Sequence, residues 1–113
     1  MRYKIIIEYD GTPFVGWQRQ DNGLSVQECI ETAIESMFQE KPVLFGAGRT
    51  DAGVHATGQV AHFDIEHKEL DTYSIKTGLN HHLKIYPISV LDVTEVDAEF
   101  HSRFDAKERK YLY

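Results

Sequence analysis

Residues 25–38 read Ser-Val-Gln-Glu-Cys-Ile-Glu-Thr-Ala-Ile-Glu-Ser-Met-Phe. Their apolar side chains recur at helical spacing and form one continuous stripe, which consists of Val26, Cys29, Ile30, Ala33, Ile34, Met37 and Phe38. Ser25 is a typical helix cap, and Glu28 three residues later completes a capping box. The pair Lys41-Pro42 then ends the pattern. This stretch predicts an amphipathic helix whose apolar face, Cys29 included, is buried.

The segments around this helix show strand patterns and one further helix. Strand-like patterns occur in five segments, at residues 3–9, 43–45, 60–65, 85–96 and 109–113. Asp71 or Thr72 can cap a second helix, which runs through Ile75 and Leu79 to Leu83. The order strand–helix–strand–strand–helix–strand matches the split βαβ arrangement. We therefore expect an α+β, ferredoxin-like domain, with an antiparallel sheet and two helices on one face.

Length and composition limit the classes of protein to consider. The chain has 113 residues, and 12 Lys and Arg against 18 Asp and Glu give a formal net charge of −6. This length predicts one compact domain, and one cysteine excludes an internal disulfide framework. The three consecutive isoleucines near the N-terminus are too few for a signal peptide or a membrane span, so we expect a soluble cytoplasmic protein. Because the chain stops at Tyr113 inside an apparent strand, we also expect half of a larger protein or one part of a dimer.

The glycine-rich run at residues 46–55 is the most informative for chemistry, and it reads Gly-Ala-Gly-Arg-Thr-Asp-Ala-Gly-Val-His. It places Arg49, Thr50 and Asp51 on a constrained turn directly after an apolar strand, where scaffolds commonly present reactive groups. Its spacing is neither that of a dinucleotide-binding loop nor that of a phosphate-binding Walker loop. An ordinary turn, in which Asp51 bonds backbone amides and Arg49 pairs with it, is the open alternative.

Two other segments have the composition of an RNA-binding surface. Trp17, Gln18 and Arg19 lie in a predicted loop and suit base stacking and phosphate contacts, although the indole could instead fold back over the sheet. The last eleven residues carry a local basic excess in an acidic chain, formed by Arg103, Lys107, Arg109 and Lys110. A solvated basic edge followed by an ordinary strand is the alternative interpretation of that segment.

Metal chemistry has little support in the sequence. The six histidines show no metal-binding spacing, and only one cysteine is present, so we expect no metal. A metal-dependent phosphoesterase built on Asp10, Asp51 and Asp64 is one competing hypothesis. A non-catalytic, ferredoxin-like RNA-binding module that stacks bases on Trp17 and the terminal aromatic residues is another.

Four separated motifs resemble the tRNA pseudouridine synthase A (TruA) family. They lie in order along the chain, at residues 9–18 (Tyr-Asp-Gly-Thr with Phe-Val-Gly-Trp-Gln), 48–55, 100–106 (Phe-His-Ser-Arg-Phe-Asp-Ala) and 110–113 (Lys-Tyr-Leu-Tyr). The resemblance implies a homodimeric enzyme that needs no cofactor or metal. It converts uridine to pseudouridine in the tRNA anticodon stem–loop, at tRNA positions 38–40.

The resemblance also assigns residues and a domain. It makes Asp51 the catalytic nucleophile, Arg49 the group that holds this carboxylate and helps displace the target base, and Tyr111 the aromatic residue against the uracil. Further RNA contacts are expected from Thr50, His55, Trp17, Gln18, Arg19, Arg103 and Lys110. Family chains are about twice this long and contain two similar halves. Residues 1–113 would then form the N-terminal half, which we expect to be weakly active or inactive alone.

Overall fold

A computed structural model describes residues 1–105 and 111–112, with Asp105, Tyr111 and Leu112 described as backbone alone. In chain order the elements are β1 (Arg2–Tyr9), α1 (Val26–Phe38), β2 (Phe45–Gly46), β3 (His55–Asp64), α2 (Thr72–Leu83), β4 (Ile88–Val96), α3 (Ser102–Asp105) and β5 (Tyr111–Leu112). Within this part of the chain, no helix has the length and apolar character needed to cross a membrane.

The sheet is antiparallel, with strand order β2-β3-β1-β4. This order is that of the split βαβ arrangement, so the predicted α+β, ferredoxin-like architecture is confirmed. β1 occupies one edge of β3 along most of its length, and β2 and β5 therefore share the other edge. β5 pairs with the first two residues of β3, His55 and Ala56. The strand predicted at residues 109–113 thus corresponds to β5, which pairs with β3 close to the glycine-rich loop.

The first helix follows the prediction closely. Ser25 has extended backbone angles, and its hydroxyl accepts a hydrogen bond from the amide of Glu28 at 3.1 Å. The helix ends at Phe38, after which Gln39 adopts a left-handed conformation with φ of 53°. Cys29 is buried, and burial raises the pKa of its thiol to about 11, so the thiol stays protonated at neutral pH. Its prediction as a packing residue is confirmed.

One face of the sheet packs on α1 and α2 to form the core. The alternate residues of β1 that face the helices are fully or almost fully buried, namely Tyr3, Ile5, Ile7 and Tyr9. Ile30 and Ile34 of α1, and Leu79 of α2, belong to the same cluster. This burial is the main driving force for the fold, because each large aliphatic side chain removed from water contributes about 1.5–3 kcal/mol.

The opposite face of the sheet is partly covered by residues 98–104, which the sequence did not predict. The guanidinium of Arg2 holds Asp64 through two nitrogens, at 2.8 and 2.9 Å, and donates to the carbonyls of Ala98 and Phe100. Ser102, the first residue of α3, is fully buried against His62 of β3. α3 has only four residues, which is too short for a helical period to show in a sequence.

Three strands, β2, β3 and β4, start two or more residues away from the predicted position. β3 starts at His55 rather than at residue 60, because its first residues pair with β1 and β5 although they include Gly58 and Gln59. β2 covers Phe45–Gly46 rather than residues 43–45. β4 starts at Ile88, since Ile85 lies in a turn and is 76% exposed.

Replacing the cap residue, Ser25→Ala, is expected to lower the free energy of unfolding by about 1 kcal/mol. The substitution removes the acceptor of the Glu28 amide at the start of α1. Urea unfolding followed by circular dichroism measures this loss. The matched control is Ser36→Ala, because the Ser36 hydroxyl bonds the carbonyl of Thr32 on the exposed side of the same helix. This control is expected to change stability by less than about 0.5 kcal/mol, and equal losses in both variants would contradict the assigned cap.

Candidate active site and nucleic-acid interface

The glycine-rich run forms the loop between β2 and β3. The loop between β1 and α1 contacts it through backbone atoms. Gly16 and Asp51 form an isolated antiparallel bridge, and the amide of Trp17 donates to the carbonyl of Thr50 at 3.1 Å. Gly16 has φ of 121°, and a Cβ at this position would overlap the Thr50 carbonyl oxygen. Only glycine allows the two backbones to approach this closely.

A second close contact holds the end of the same loop. The backbone of Gly11 lies so close to Val54 that a Cβ on Gly11 would overlap the Val54 carbonyl. The amide of Gly11 donates to Nδ1 of His55 at 2.8 Å. Asp10 lies 3.1 Å from the same nitrogen, but Nδ1 carries no proton when it accepts from Gly11. The structure thus uses His55 to join the 10–12 loop to the start of β3.

Arg49, Thr50 and Asp51 alternate between solvent and core. Thr50 is buried, and its hydroxyl shares a hydrogen bond of 2.8 Å with the hydroxyl of Tyr9. Arg49 and Asp51 are both exposed. Among the described residues, the Asp51 carboxylate accepts no hydrogen bond and forms no ion pair, with Arg49 or with any other cation. The ordinary-turn alternative, in which Arg49 neutralises Asp51, is therefore not what this loop shows.

Side chains that the sequence analysis did not single out hold the loop and the strand before it. Gln59 is fully buried, and its amide donates to the carbonyl of Gly48 at 2.6 Å. From α1, Gln27 donates to the carbonyl of Leu44 at 3.0 Å, and Glu31 accepts from the Leu44 amide at 2.9 Å. The signal for Gln59 was present in the sequence, since a polar residue on the core-facing side of a strand needs a specific partner.

The structure favours the packing alternative for Trp17. Its side chain is only 3% exposed, and its ring lies against that of Tyr9 with a centroid distance of 6.4 Å. A Cβ on Gly46 would lie 2.7 Å from the indole, so this glycine leaves room for the ring. A base cannot stack on a ring that is this deeply buried, and the interpretation of Trp17 as a stacking platform is corrected.

Gln18 and Arg19, the other two candidates of that loop, are exposed but differ in their contacts. The guanidinium of Arg19 pairs with Glu31 at 2.8 Å and with Glu28 at 3.4 Å, both on α1. Two protein carboxylates thus partner its charge in this structure. Gln18 is one of the residues that line a groove beside β2.

This groove brings together several of the predicted RNA-binding residues. It has a volume of about 670 Å³, and its lining includes Gln18, Phe45, Arg49, His101, Arg103 and Phe104. His55 lies instead in a separate cavity of about 520 Å³, next to Asp10 and Ser89. Asp51 lines neither of these two cavities. It lies in the exposed loop between β2 and β3.

The remaining candidates lie near or beyond the described C-terminal residues. The backbone of Tyr111 pairs with Ala56, which places this residue beside the start of β3. Lys110 lies outside the described residues, as do Lys107 and Arg109. Asp64 is bound by Arg2, and no group of three His, Cys, Asp or Glu among the described residues could hold a metal ion. The three carboxylates of the phosphoesterase hypothesis are therefore not brought together.

The sequence of the chain is similar to those of known proteins. The sequence profile of a family described as tRNA pseudouridine synthase matches residues 5–105. The chain belongs to the tRNA pseudouridine synthase family. Proteins named tRNA pseudouridine synthase A share 54% identity with it in Anaplasma phagocytophilum (strain HZ), 55% in Wolbachia pipientis wMel and 52% in Maricaulis maris (strain MCS10).

These relatives are longer than the chain. The match covers 99–100% of its residues but only 45–46% of each of these three relatives, in their N-terminal part. The chain thus spans about half the length of the tRNA pseudouridine synthases that it resembles. The resemblance inferred from the four motifs is confirmed at the level of the family.

In this member of the family, a buried histidine, His62, anchors the described part of the third motif, residues 100–104. The amide of Ser102 donates to Nδ1 of His62 at 3.1 Å, and the Ser102 hydroxyl donates to the carbonyl of Phe45 at 3.0 Å. Burial lowers the pKa of His62 to about 4, and the nearby charges of Arg2 and His101 add to this effect. A neutral His62 therefore holds the segment that lines the groove.

Substituting Gly16→Ala is expected to destabilise the protein by about 2 kcal/mol or more, because the backbone is strained for a residue with a Cβ and the methyl group would overlap the loop that carries Asp51. Thermal or urea unfolding measures the change. Gly58→Ala is the control, since a Cβ there has nothing within 4 Å and the residue is in a strand. An equal effect of both substitutions would show that the contact at Gly16 is not tight.

Lowering the pH from 6.5 to about 4 is expected to reduce the free energy of unfolding. In this interval the unfolded chain protonates His62 at its ordinary pKa of 6.5, whereas the folded chain keeps it neutral. The unfolded state therefore binds more protons, and stability falls as the pH falls, by at most about 3 kcal/mol. Urea unfolding at a series of pH values measures this slope.

The variant His62→Gln should lose this part of the pH dependence, even if it is less stable at every pH. His67→Gln serves as the control, because the His67 side chain is 80% exposed. If His62→Gln kept the full slope of the wild type, His62 would not be its source.

Proposed function

We propose that this chain supplies the catalytic carboxylate of a tRNA pseudouridine synthase, an isomerase. Its substrate would be uridine in the anticodon stem–loop, at tRNA positions 38–40. The observation that carries the proposal is the placement of Asp51. Its carboxylate is exposed and unpaired among the described residues, on a loop that backbone contacts hold on both sides. Membership of the family supports the same reaction.

The reaction needs an ionised carboxylate that can reach the sugar or the base. The C1′–N1 bond of uridine is broken, the uracil turns, and a C5–C1′ bond forms, after which C5 loses a proton and N1 carries one. Asp51 could attack C1′ or C6, or could take the proton from C2′. Each route requires direct access of the carboxylate to the nucleotide. An exposed side chain on a rigid turn provides this access without a rearrangement of the protein.

The target base must leave the helical stem before it can react, at a cost of a few kcal/mol. We assign to Arg49 the role of holding the Asp51 carboxylate in the complex and of filling the space that the base vacates. Arg49 is exposed, lies two residues from Asp51 and lines the groove, so a bound RNA strand could contact it. Tyr111 is proposed to pack against the uracil, and its backbone position beside Ala56 supports a place near the site.

The proposal extends to parts that lie beyond this chain. Since it spans about half the length of its relatives, a second, similar half is proposed to complete the uracil pocket and the RNA-binding surface. A homodimer, a cytoplasmic location and catalysis without a cofactor belong to the same proposal. A non-catalytic RNA-binding module is the second candidate, because a groove with Arg49, Arg103 and exposed aromatic rings suits RNA binding as well.

Replacing the carboxylate, Asp51→Ala, is expected to abolish pseudouridine formation and to leave tRNA affinity almost unchanged, because the group acts in bond breaking rather than in binding. The test uses the chain joined to the C-terminal remainder of the Wolbachia relative. Mass spectrometry maps pseudouridine in the treated tRNA. The 113-residue chain alone is expected to release little or no tritium from C5-labelled tRNA.

Asp21→Ala is the matched control, since Asp21 is an exposed aspartate in another loop. This variant should keep the activity of the extended protein. Pseudouridine formation by Asp51→Ala at the wild-type rate would refute the catalytic assignment, and unchanged tRNA binding without any isomerisation by the extended wild type would favour the binding module.

A further inference from the structure

A buried pair of hydroxyl groups lies directly behind the residue proposed to react. Of residues 48–53, all of which the structure describes, Thr50 alone is buried, and Asp51 follows it in the chain. The hydroxyl of Thr50 shares a hydrogen bond of 2.8 Å with the hydroxyl of Tyr9. The loop that carries Asp51 is therefore joined to the core of the protein through a side chain as well as through its backbone.

Tyr9 is a rigid support for this hydrogen bond. It is the last residue of β1, and its backbone pairs with Ala56 of β3 on one side and with Ile88 of β4 on the other. Its ring belongs to the apolar core and lies against that of Trp17. Because the ring is packed on an interior strand, its hydroxyl is held in one place before any substrate arrives.

The direction of the Asp51 side chain is linked to that of Thr50. The amide of Trp17 donates to the carbonyl of Thr50 at 3.1 Å, and Asp51 forms an antiparallel bridge with Gly16. Adjacent side chains of such an extended backbone point to opposite sides. A Thr50 side chain that is held inward therefore directs the Asp51 carboxylate outward.

Stability alone does not explain why this buried pair is polar. A Phe and a Val in place of Tyr9 and Thr50 would fill nearly the same space. Replacing both partners of a hydrogen bond by apolar groups of the same shape is nearly neutral for stability. A hydrogen bond, however, also fixes the distance and the angle between its atoms, which an apolar contact does not. The hydroxyl pair thus suits a role in orientation.

We propose that Tyr9 is a positioning residue for the isomerisation. Through the hydroxyl of Thr50, it holds the backbone from which the Asp51 carboxylate is presented to the nucleotide. This inference rests on the proposed function in taking Asp51 as the reacting carboxylate. Tyr9 acts through Thr50, since only 4% of its own surface is exposed. A displacement of the carboxylate by about 1 Å is enough to slow a reaction about a hundredfold.

The test compares Tyr9→Phe with a double variant that combines Tyr9→Phe and Thr50→Val, both in the chain joined to the C-terminal remainder of the Wolbachia relative. Tyr9→Phe leaves the Thr50 hydroxyl buried without its partner, so the unfolding temperature is expected to fall. The double variant removes both hydroxyls and should regain an unfolding temperature close to that of the wild type. Pseudouridine formation in a single turnover should nevertheless stay about tenfold or more below the wild-type rate in both variants. The Kd for tRNA should change by less than about twofold.

Tyr3→Phe is the matched control. Tyr3 lies on the same strand, is fully buried, and donates its hydroxyl proton to the carbonyl of Leu70 at 3.3 Å, at the end of β1 that is remote from the loop. This variant should keep the wild-type rate of a single turnover. A wild-type rate in the double variant would overturn the proposal, since the hydroxyl pair would then only stabilise the fold. An equal loss of rate in Tyr3→Phe would overturn it as well.

Amide hydrogen exchange of the 113-residue chain, followed by NMR, tests the positioning independently of catalysis. The amide of Trp17 bonds the carbonyl of Thr50, and the amide of Val54 bonds that of Asp51 at 3.2 Å. Both amides are expected to exchange about tenfold or more faster in the double variant, because the loop opens more often. The amide of Ile65, which forms a backbone hydrogen bond beyond the other end of β3, should keep its rate.

The positioning role and the proposed function fail in different ways. If Asp51→Ala keeps full activity, or if the extended wild type forms no pseudouridine, the proposed function fails. The exchange rates of Trp17 and Val54 then still decide whether the hydroxyl pair holds the loop. If Asp51→Ala is inactive but the double variant keeps the wild-type rate and exchange, the positioning role is refuted and Asp51 remains the proposed nucleophile.

Discussion

The antiparallel contact between Gly16 and Asp51 joins two loops that are far apart in the sequence, and the candidate active site depends on it. The two backbones approach so closely that no Cβ fits between them. At this contact the side chains alternate, since Thr50 turns inward to Tyr9 and Asp51 turns outward to solvent. The carboxylate of Asp51 is therefore exposed, while its backbone is bridged to that of Gly16.

The two faces of the sheet are covered by different parts of the chain and through different interactions. The face toward α1 and α2 holds the apolar core, in which Trp17 also takes part. The opposite face receives residues 98–104 through Arg2 and His62, which use hydrogen bonds and charge rather than a large apolar surface. That second attachment creates the groove, since it brings His101, Arg103 and Phe104 beside Phe45 and Arg49.

Residues with several possible roles show where sequence reasoning reaches its limit. Arg19 has the residue type of a phosphate ligand, but α1 brings Glu28 and Glu31 within ion-pair distance of it. Trp17 has the residue type of a stacking platform, but Tyr9 and the space above Gly46 accommodate its ring. In both cases the decisive partner lies in a helix or strand, whereas the candidate lies in the loop between β1 and α1.

By itself, the sequence determined most of the helices and strands of the chain and the family to which it belongs. The apolar stripe of α1, the alternation of β1 and the four family motifs are local or linear patterns, and such patterns survive without knowledge of the contacts between them. Only the tertiary structure decided which polar side chains form hydrogen bonds or ion pairs within the fold and which remain exposed. The physical reason is that burial and pairing are set by residues distant in the chain, as Gln59 with Gly48, His62 with Ser102 and Gly16 with Asp51 show.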